Sequence, residues 1–229
     1  MTLISFVKIP VILLLFLLFA KINLGQEAVS TKPQYLYNPN YELEIGKYKN
    51  YKMKQADIVM LGNSLTHGIN WNEFLDRTSI SEQGIPSDIT EGILNRMEYV
   101  YKVNPKICFI MVGVNDIFAW IPIETVFTNY KSIIEKLKAK NIIPVVQLVL
   151  YAGEVNPNSV NRNVEITKLN KLLSNYAKQN KIEIINLNRR MSKSNFLKND
   201  LTYDGIHLNG AGFKLWGKEV DKVLRKYSL

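Results

Sequence analysis

The sequence predicts an α/β fold built on a mostly parallel, five-stranded sheet covered on both faces. Three observations predict it. Apolar runs without polar alternation recur at 57–61, 106–112 and 142–150, the pattern of strands buried on both sides. Between them lie longer stretches whose apolar residues fall at helical intervals. The residues just after the runs are polar or glycine, as expected where a strand ends at the rim of a sheet carrying a site.

Taken in order, residues 1–25 stand apart. Lys8 precedes the uncharged run from Ile9 to Ala20, which has the length of a signal-peptide core and falls short of a membrane span. Gly25 offers a small residue for cleavage. The expectation is export to the periplasm or outside the cell, with an uncleaved membrane anchor as the alternative. Residues 26–56 are polar and hold Tyr35, Tyr37, Tyr41, Tyr48 and Tyr51. They predict an irregular strap through Pro33 and Pro39 and a short helix over 41–54, the tyrosines packing on the domain. Residues 57–229 form the main domain.

Within it, strands are expected at Asp57–Leu61, Thr78–Glu82, Lys106–Val112, Ile142–Leu150 and Ile182–Leu187. Trp71, Phe74 and Leu75 mark a short helix over 70–76. Ile89, Ile93, Leu94 and Met97 mark one from Ser87 or Asp88 to Tyr101. Longer helices are expected over Glu124–Lys140, Val160–Gln179 and Gly210–Tyr227, with a Gly-, Asn- and Pro-rich loop at 151–160. No internal repeat or second domain is visible.

Composition narrows the function classes. Hydrophobic content of 47% and charged content of 21% suit a globular chain. The single cysteine, Cys108, sits in an apolar run, so no intramolecular disulfide can form and a small buried side chain is expected. Two histidines without paired cysteines leave little for a zinc site; no metal and no cofactor are expected. The formal charge of +9 comes from scattered lysines, which argues against a nucleic-acid partner and favours anionic substrates or surfaces at long range.

The polar strand ends carry the chemistry. They are Gly62-Asn63-Ser64, Gln83-Gly84-Ile85 and Gly113-Val114-Asn115-Asp116, followed near the C-terminus by "YDGIHLNGAG" with Asp204 and His207. A serine hydroxyl becomes a nucleophile when a base takes its proton, and a carboxylate fixes the tautomer of that histidine. Ser64, His207 and Asp204 supply this set. The backbone N–H of Ser64, that of Gly84 and the amide of Asn115 are available to an oxyanion. Blander readings stand beside these: Ser64 as a helix cap, Asn115 and Asp116 as turn residues, His67 as the base in place of His207. Asp116 either orders its loop or touches substrate.

In four blocks the chain resembles the SGNH hydrolase superfamily, the GDSL-type esterases and lipases: "LGNSLTHG", "SEQGI", "VGVND" and "DGIHLN", in order over about 57–215. The resemblance implies a flavodoxin-like three-layer α/β/α sandwich. It implies ester hydrolysis through an acyl-enzyme, with an oxyanion hole of Ser64, Gly84 and Asn115. Asn63 departs from the pattern, standing where the signature has Asp, and is expected to bond nearby backbone. The GxSxG elbow of another serine-hydrolase fold is absent, because Thr66 occupies its second glycine. The expectation is an exported, cofactor-free esterase for short-chain esters, O-acetyl groups on carbohydrate in particular. Its partner is a small-molecule or glycan ester. The alternatives are a lysophospholipase or acyl-thioesterase of the same fold, and a non-catalytic glycan- or lipid-binding protein. Trp71 and Trp120 are candidate sugar contacts or core residues.

Overall fold

In the computed structural model, described here for residues 32–229, β1 (Ile58–Gly62) lies inside a five-stranded sheet of order β2-β1-β3-β4-β5. The other strands are β2 (Ile80–Gly84), β3 (Ile107–Met111), β4 (Ile143–Gln147) and β5 (Glu183–Ile185). All four neighbouring pairs are parallel. The apolar runs thus became central strands, and their C-terminal ends share one rim. The expected export segment at 1–25 lies outside the described residues, as do residues 26–31 of the strap. No helix among the described residues is long and apolar enough to cross a membrane.

The helices are α1 (Pro39–Asn50), α2 (Ser64–His67), α3 (Trp71–Phe74), α4 (Thr90–Asn95), α5 (Met97–Lys102), α6 (Val114–Phe118), α7 (Ile123–Lys138), α8 (Ser159–Gln179), α9 (Asn188–Met191) and α10 (Gly210–Lys226). A two-stranded hairpin, β6 (Ser192–Lys193) and β7 (Phe196–Leu197), follows α9.

Alternation along the strands divides the core into two layers. Val59, Leu61, Cys108, Ile110 and Val146 meet Ile93, Val126, Tyr130, Ile134 and Leu169 from α4, α7 and α8. Ile58, Met60, Ile107, Phe109 and Val145 meet Trp71, Trp216, Val220 and Leu224, from α3 and α10. Helices thus cover both faces of the sheet, which yields the three-layer α/β/α sandwich. Cys108 is fully buried, and burial pushes its thiol pKa up.

Several boundaries differ from the sequence pattern: β2 lies two residues later than 78–82 and so includes Gly84, and β4 stops at Gln147 rather than Leu150. The helix expected over 87–101 is broken at Arg96, whose φ of -119° and ψ of 19° leave the helical region. The break turns the Arg96 side chain inward, to an ion pair with Asp88. The short helix of the strap runs from Pro39 to Asn50 rather than 41–54, capped by the Asn38 side chain on Asn40 N–H. Tyr41 and Tyr48 of that helix are buried, donating their hydroxyls to Gly92 O and Gly84 O at 3.0 Å each. Tyr41 and Tyr48 therefore pack on the domain as expected of the strap tyrosines, whereas Tyr37 and Tyr51 are exposed.

Candidate active site

Why Ser64 projects from the rim follows from its neighbours. Asn63 is the N-cap of α2, its Oδ1 accepting from Leu65 N–H at 3.0 Å. Capping is thus done one residue earlier, and the Ser64 hydroxyl at the first helical position is free for another partner. Gly62 must be glycine, since a Cβ there would run into the Thr66 hydroxyl and the Met111 carbonyl.

That other partner is His207. Its Nε2 lies 2.9 Å from Ser64 Oγ, and its Nδ1 lies 2.6 Å from Asp204 Oδ2. Asp204 is held by its own loop, Oδ1 accepting from Ile206 N–H at 2.8 Å and His207 N–H at 2.7 Å. Burial works to raise the Asp204 pKa, but the hydrogen bonds from His207 and Ile206 outweigh it and leave the pKa below the usual carboxylate value. The carboxylate is therefore ionised wherever imidazole titrates. Thr202 Oγ1 braces the loop, donating to His207 O at 2.6 Å and accepting Gly205 N–H at 2.9 Å. Tyr203, 72% exposed, stacks on the His207 ring at 5.8 Å between centroids.

Asn115, in α6 after β3, donates one amide hydrogen to Asp88 O at 2.8 Å, leaving the second for a ligand. Asp88 is fixed in turn by the fully buried Arg96, Nε to Oδ2 at 2.8 Å. The same guanidinium donates to Gly62 O at 2.9 Å. This ion pair, with no sequence signal beyond a charge in an apolar helix, ties the ends of β1 and α6 together.

Gly84 is placed differently from Ser64 and Asn115. It is buried, and its N–H donates to Glu82 Oε1 at 2.5 Å. A Cβ on Gly84 would stand 2.5 Å from His67 N and 2.7 Å from Asn63 O, so packing alone demands glycine here. The exposed residue of this loop is Ser87, whose φ of 63° lies in the left-handed region. It precedes Asp88, the acceptor of the Asn115 amide. The sequence marked Ser87 only as a helix start and Glu82 only as a strand end.

His67 is not brought to Ser64. Its Nδ1 faces Glu82 Oε2 at 3.6 Å, and the Glu82 carboxylate raises its pKa. Asp116 is fully buried and accepts from Thr90 N–H at 3.0 Å and from the Thr90 hydroxyl. It orders the loop, and substrate cannot reach it. Trp71 is a core residue, its indole N–H donating to Thr66 O at 2.8 Å, whereas Trp120 is 62% exposed. Among the described residues no group of three or more His, Cys, Asp or Glu side chains is placed to hold a metal ion.

At the rim of a five-stranded parallel sheet, a serine is thus joined to a histidine and a carboxylate. The model of the GDSL-like Lipase/Acylhydrolase family matches residues 60–215. The chain belongs to that family and is an ester hydrolase. Solved structures of similar fold include a presumed acylhydrolase from Bacteroides fragilis (26% identity, TM-score 0.73, covering 82% of this chain and 97% of that one). Another is a GDSL-like lipase from Bacteroides thetaiotaomicron (24%, TM-score 0.72, 82% and 98%). A third is an acetyl xylan esterase (22%, TM-score 0.62, 73% and 98%). Among curated proteins, N-acylneuraminate cytidylyltransferase of Streptococcus agalactiae is 27% identical over 157 residues, 67% of this chain. The chain spans only 35% of that relative's length.

Proposed function

We propose that this ester hydrolase is an exported serine esterase that removes short acyl groups, acetyl above all, from carbohydrate. The observation that carries the reading is the continuous chain of contacts from Ser64 Oγ through His207 to Asp204, at 2.9 and 2.6 Å. Ser64 Oγ attacks the ester carbonyl while His207 Nε2 accepts its proton. Asp204 holds the Nδ1–H side and balances the imidazolium. The tetrahedral oxyanion accepts hydrogen bonds from Ser64 N–H and Asn115 Nδ2, and from Gly84 N–H once Glu82 releases it. The intermediate collapses, His207 returns the proton to the departing alcohol, and an acyl-serine remains. Water, deprotonated by the same imidazole, attacks that ester and frees acid and serine.

Carbohydrate is favoured by the polar loop leading into α8, with Asn156 and the exposed Asn158, and by the exposed indole of Trp120. An acetyl xylan esterase among the similar folds supports the acetyl assignment. The segment shared with a protein named for an N-acylneuraminate supports a sugar. Export rests on Lys8 and the apolar run that follows it. A lysophospholipase or acyl-thioesterase is favoured instead by the exposed apolar side chains of Val155 and Val160. A non-catalytic binder would retain no reactive serine. Labelling with a fluorophosphonate probe tests the reading: the native chain should be labelled and Ser64→Ala should not. Equal labelling of both would place the nucleophile elsewhere, and no labelling of either would favour a binder.

A further inference from the structure

Arg162, in the first turn of α8, is 5% exposed. Its Nη2 donates to Phe118 O at 3.0 Å. Nε and Nη1 are buried with no acceptor, and no Asp or Glu among the described residues pairs with the guanidinium. A buried cation without a counter-charge is costly, and such groups are ordinarily paired. Side chains on a helix lean toward its N-terminus, so this guanidinium covers the start of α8. That start is itself electropositive. Asn158, the N-cap, makes no capping bond, and no acid stands in the first turn of this 21-residue helix. The Val160 and Asn161 amides at this end have no acceptor among the described residues.

Over the guanidinium lies the Trp120 indole, 3.3 Å from its carbon to the ring centroid. Trp120 is solvent-exposed and holds a φ of 56°, a conformation bulky side chains adopt at a cost. Two connections tie it to the elements that carry the reacting groups. Trp120 follows α6, which carries Asn115, and the loop leading into α8 bonds the Asp204 arm through Gly153 N–H to Gly205 O at 2.7 Å.

We propose that Arg162 and the start of α8, covered by Trp120, form an anion subsite that binds a carboxylate on the alcohol half of the substrate. The preferred substrate is then an O-acylated acidic sugar. When that sugar binds, the indole turns aside, the guanidinium gains the counter-charge it lacks, and the acyl group is presented to Ser64. The inference deepens the esterase reading and rests on it. Trp120 is the exposed one of the three tryptophans, so binding can also be followed without catalysis.

The test compares acetylated glucuronic acid with acetylated glucose, and titrates glucuronate against intrinsic tryptophan fluorescence. The native chain should favour the acidic ester in kcat/KM by about tenfold or more, the range of a charge-assisted bond. Arg162→Met should bring the ratio close to one while leaving acetylglucose hydrolysis nearly unchanged, and Arg162→Lys should retain part of the preference. Glucuronate should change the fluorescence of the native chain and not that of Trp120→Phe. A native chain without preference, or an equal loss on both esters in Arg162→Met and Arg162→Lys, overturns the proposal. A stronger preference for a sulfated acetyl sugar overturns the carboxylate assignment. If no ester is cleaved yet glucuronate still shifts the fluorescence, the esterase reading fails while the anion subsite stands.

Discussion

The Glu82 carboxylate accepts the Gly84 N–H at 2.5 Å, so the donor expected of this loop is already engaged by an anion two residues upstream. A carboxylate in that place competes with a substrate oxyanion for the same hydrogen and repels its charge. Glu82→Gln keeps the shape and removes the charge, and kcat for an aryl acetate should rise, by roughly twofold to tenfold. An unchanged kcat would take Gly84 out of the oxyanion hole. Gly84→Ala cannot answer the question, since its Cβ would collide with backbone.

The two histidines should separate cleanly. His207 contacts both Ser64 and Asp204, whereas His67 faces Glu82. His207→Ala should lower kcat by about 10⁴, in the range for a lost triad member, and His67→Ala should change it by less than about tenfold. Steady-state kinetics on one aryl acetate decides it. The reverse order would make His67 the base.

Asn115→Ala should lower kcat by about 10²–10³ with little change in KM, because the bond to the oxyanion strengthens only as charge develops. The bond from Asn115 Nδ2 to Asp88 O at 2.8 Å pre-sets the amide, so little binding energy is needed to orient it. A raised KM at constant kcat would instead mark Asn115 as a ground-state contact.

Much of this site was legible because its parts follow apolar strands. Ser64, Asn115, Asp204 and His207 are polar residues directly after runs or turns that the fold brings to one rim. Local competition decided the rest. Asn63 rather than Ser64 caps α2, a choice set by which side chain reaches Leu65 N–H. Gly84 looked like a donor because it is glycine, yet close packing against the His67 and Asn63 backbone explains that equally well. Arg96 and Arg162 sit in helical patterns that predict solvent exposure for a charge. Only tertiary packing buries them, and no local pattern encodes it.

Stability should carry a signature of Asp116. Burial raises its pKa, Thr90 hydrogen bonds pull it back, and the result is about 6. The folded chain thus holds this proton more tightly than the unfolded one. The contribution is full below about pH 4 and is lost as pH climbs toward 6. Asp116→Asn removes the titration while keeping an acceptor for Thr90. Between these pH values the native chain should lose stability relative to Asp116→Asn, by an amount of the order of 3 kcal/mol. Urea denaturation of both at pH 4, 5 and 6.5 measures it, and parallel curves would contradict the assignment.

Acyl length bears on the hollows beside the sheet edges. A cavity of about 370 Å³ lies at the β2 edge of the sheet, lined by Tyr48, Tyr51, Met53, Glu82 and Tyr99 among others. One of about 440 Å³ lies at the β5 edge, along α10. Neither is lined by Ser64 or His207. An acetyl group on Ser64 needs no such space, whereas an octanoyl chain left on the polar rim forfeits roughly 0.8 kcal/mol for each methylene it fails to bury. Acetyl esters should therefore be cleaved with higher kcat/KM than octanoyl esters of the same alcohol, measured at fixed pH below micelle-forming concentrations. The opposite result would point to the β2-edge cavity, because Glu82 and Tyr48 form its wall and also hold the Gly84 backbone. A rate constant that climbs steadily with chain length would mean that the acyl chain passes Gly84 into that groove. The enzyme would then be a lipase rather than a deacetylase.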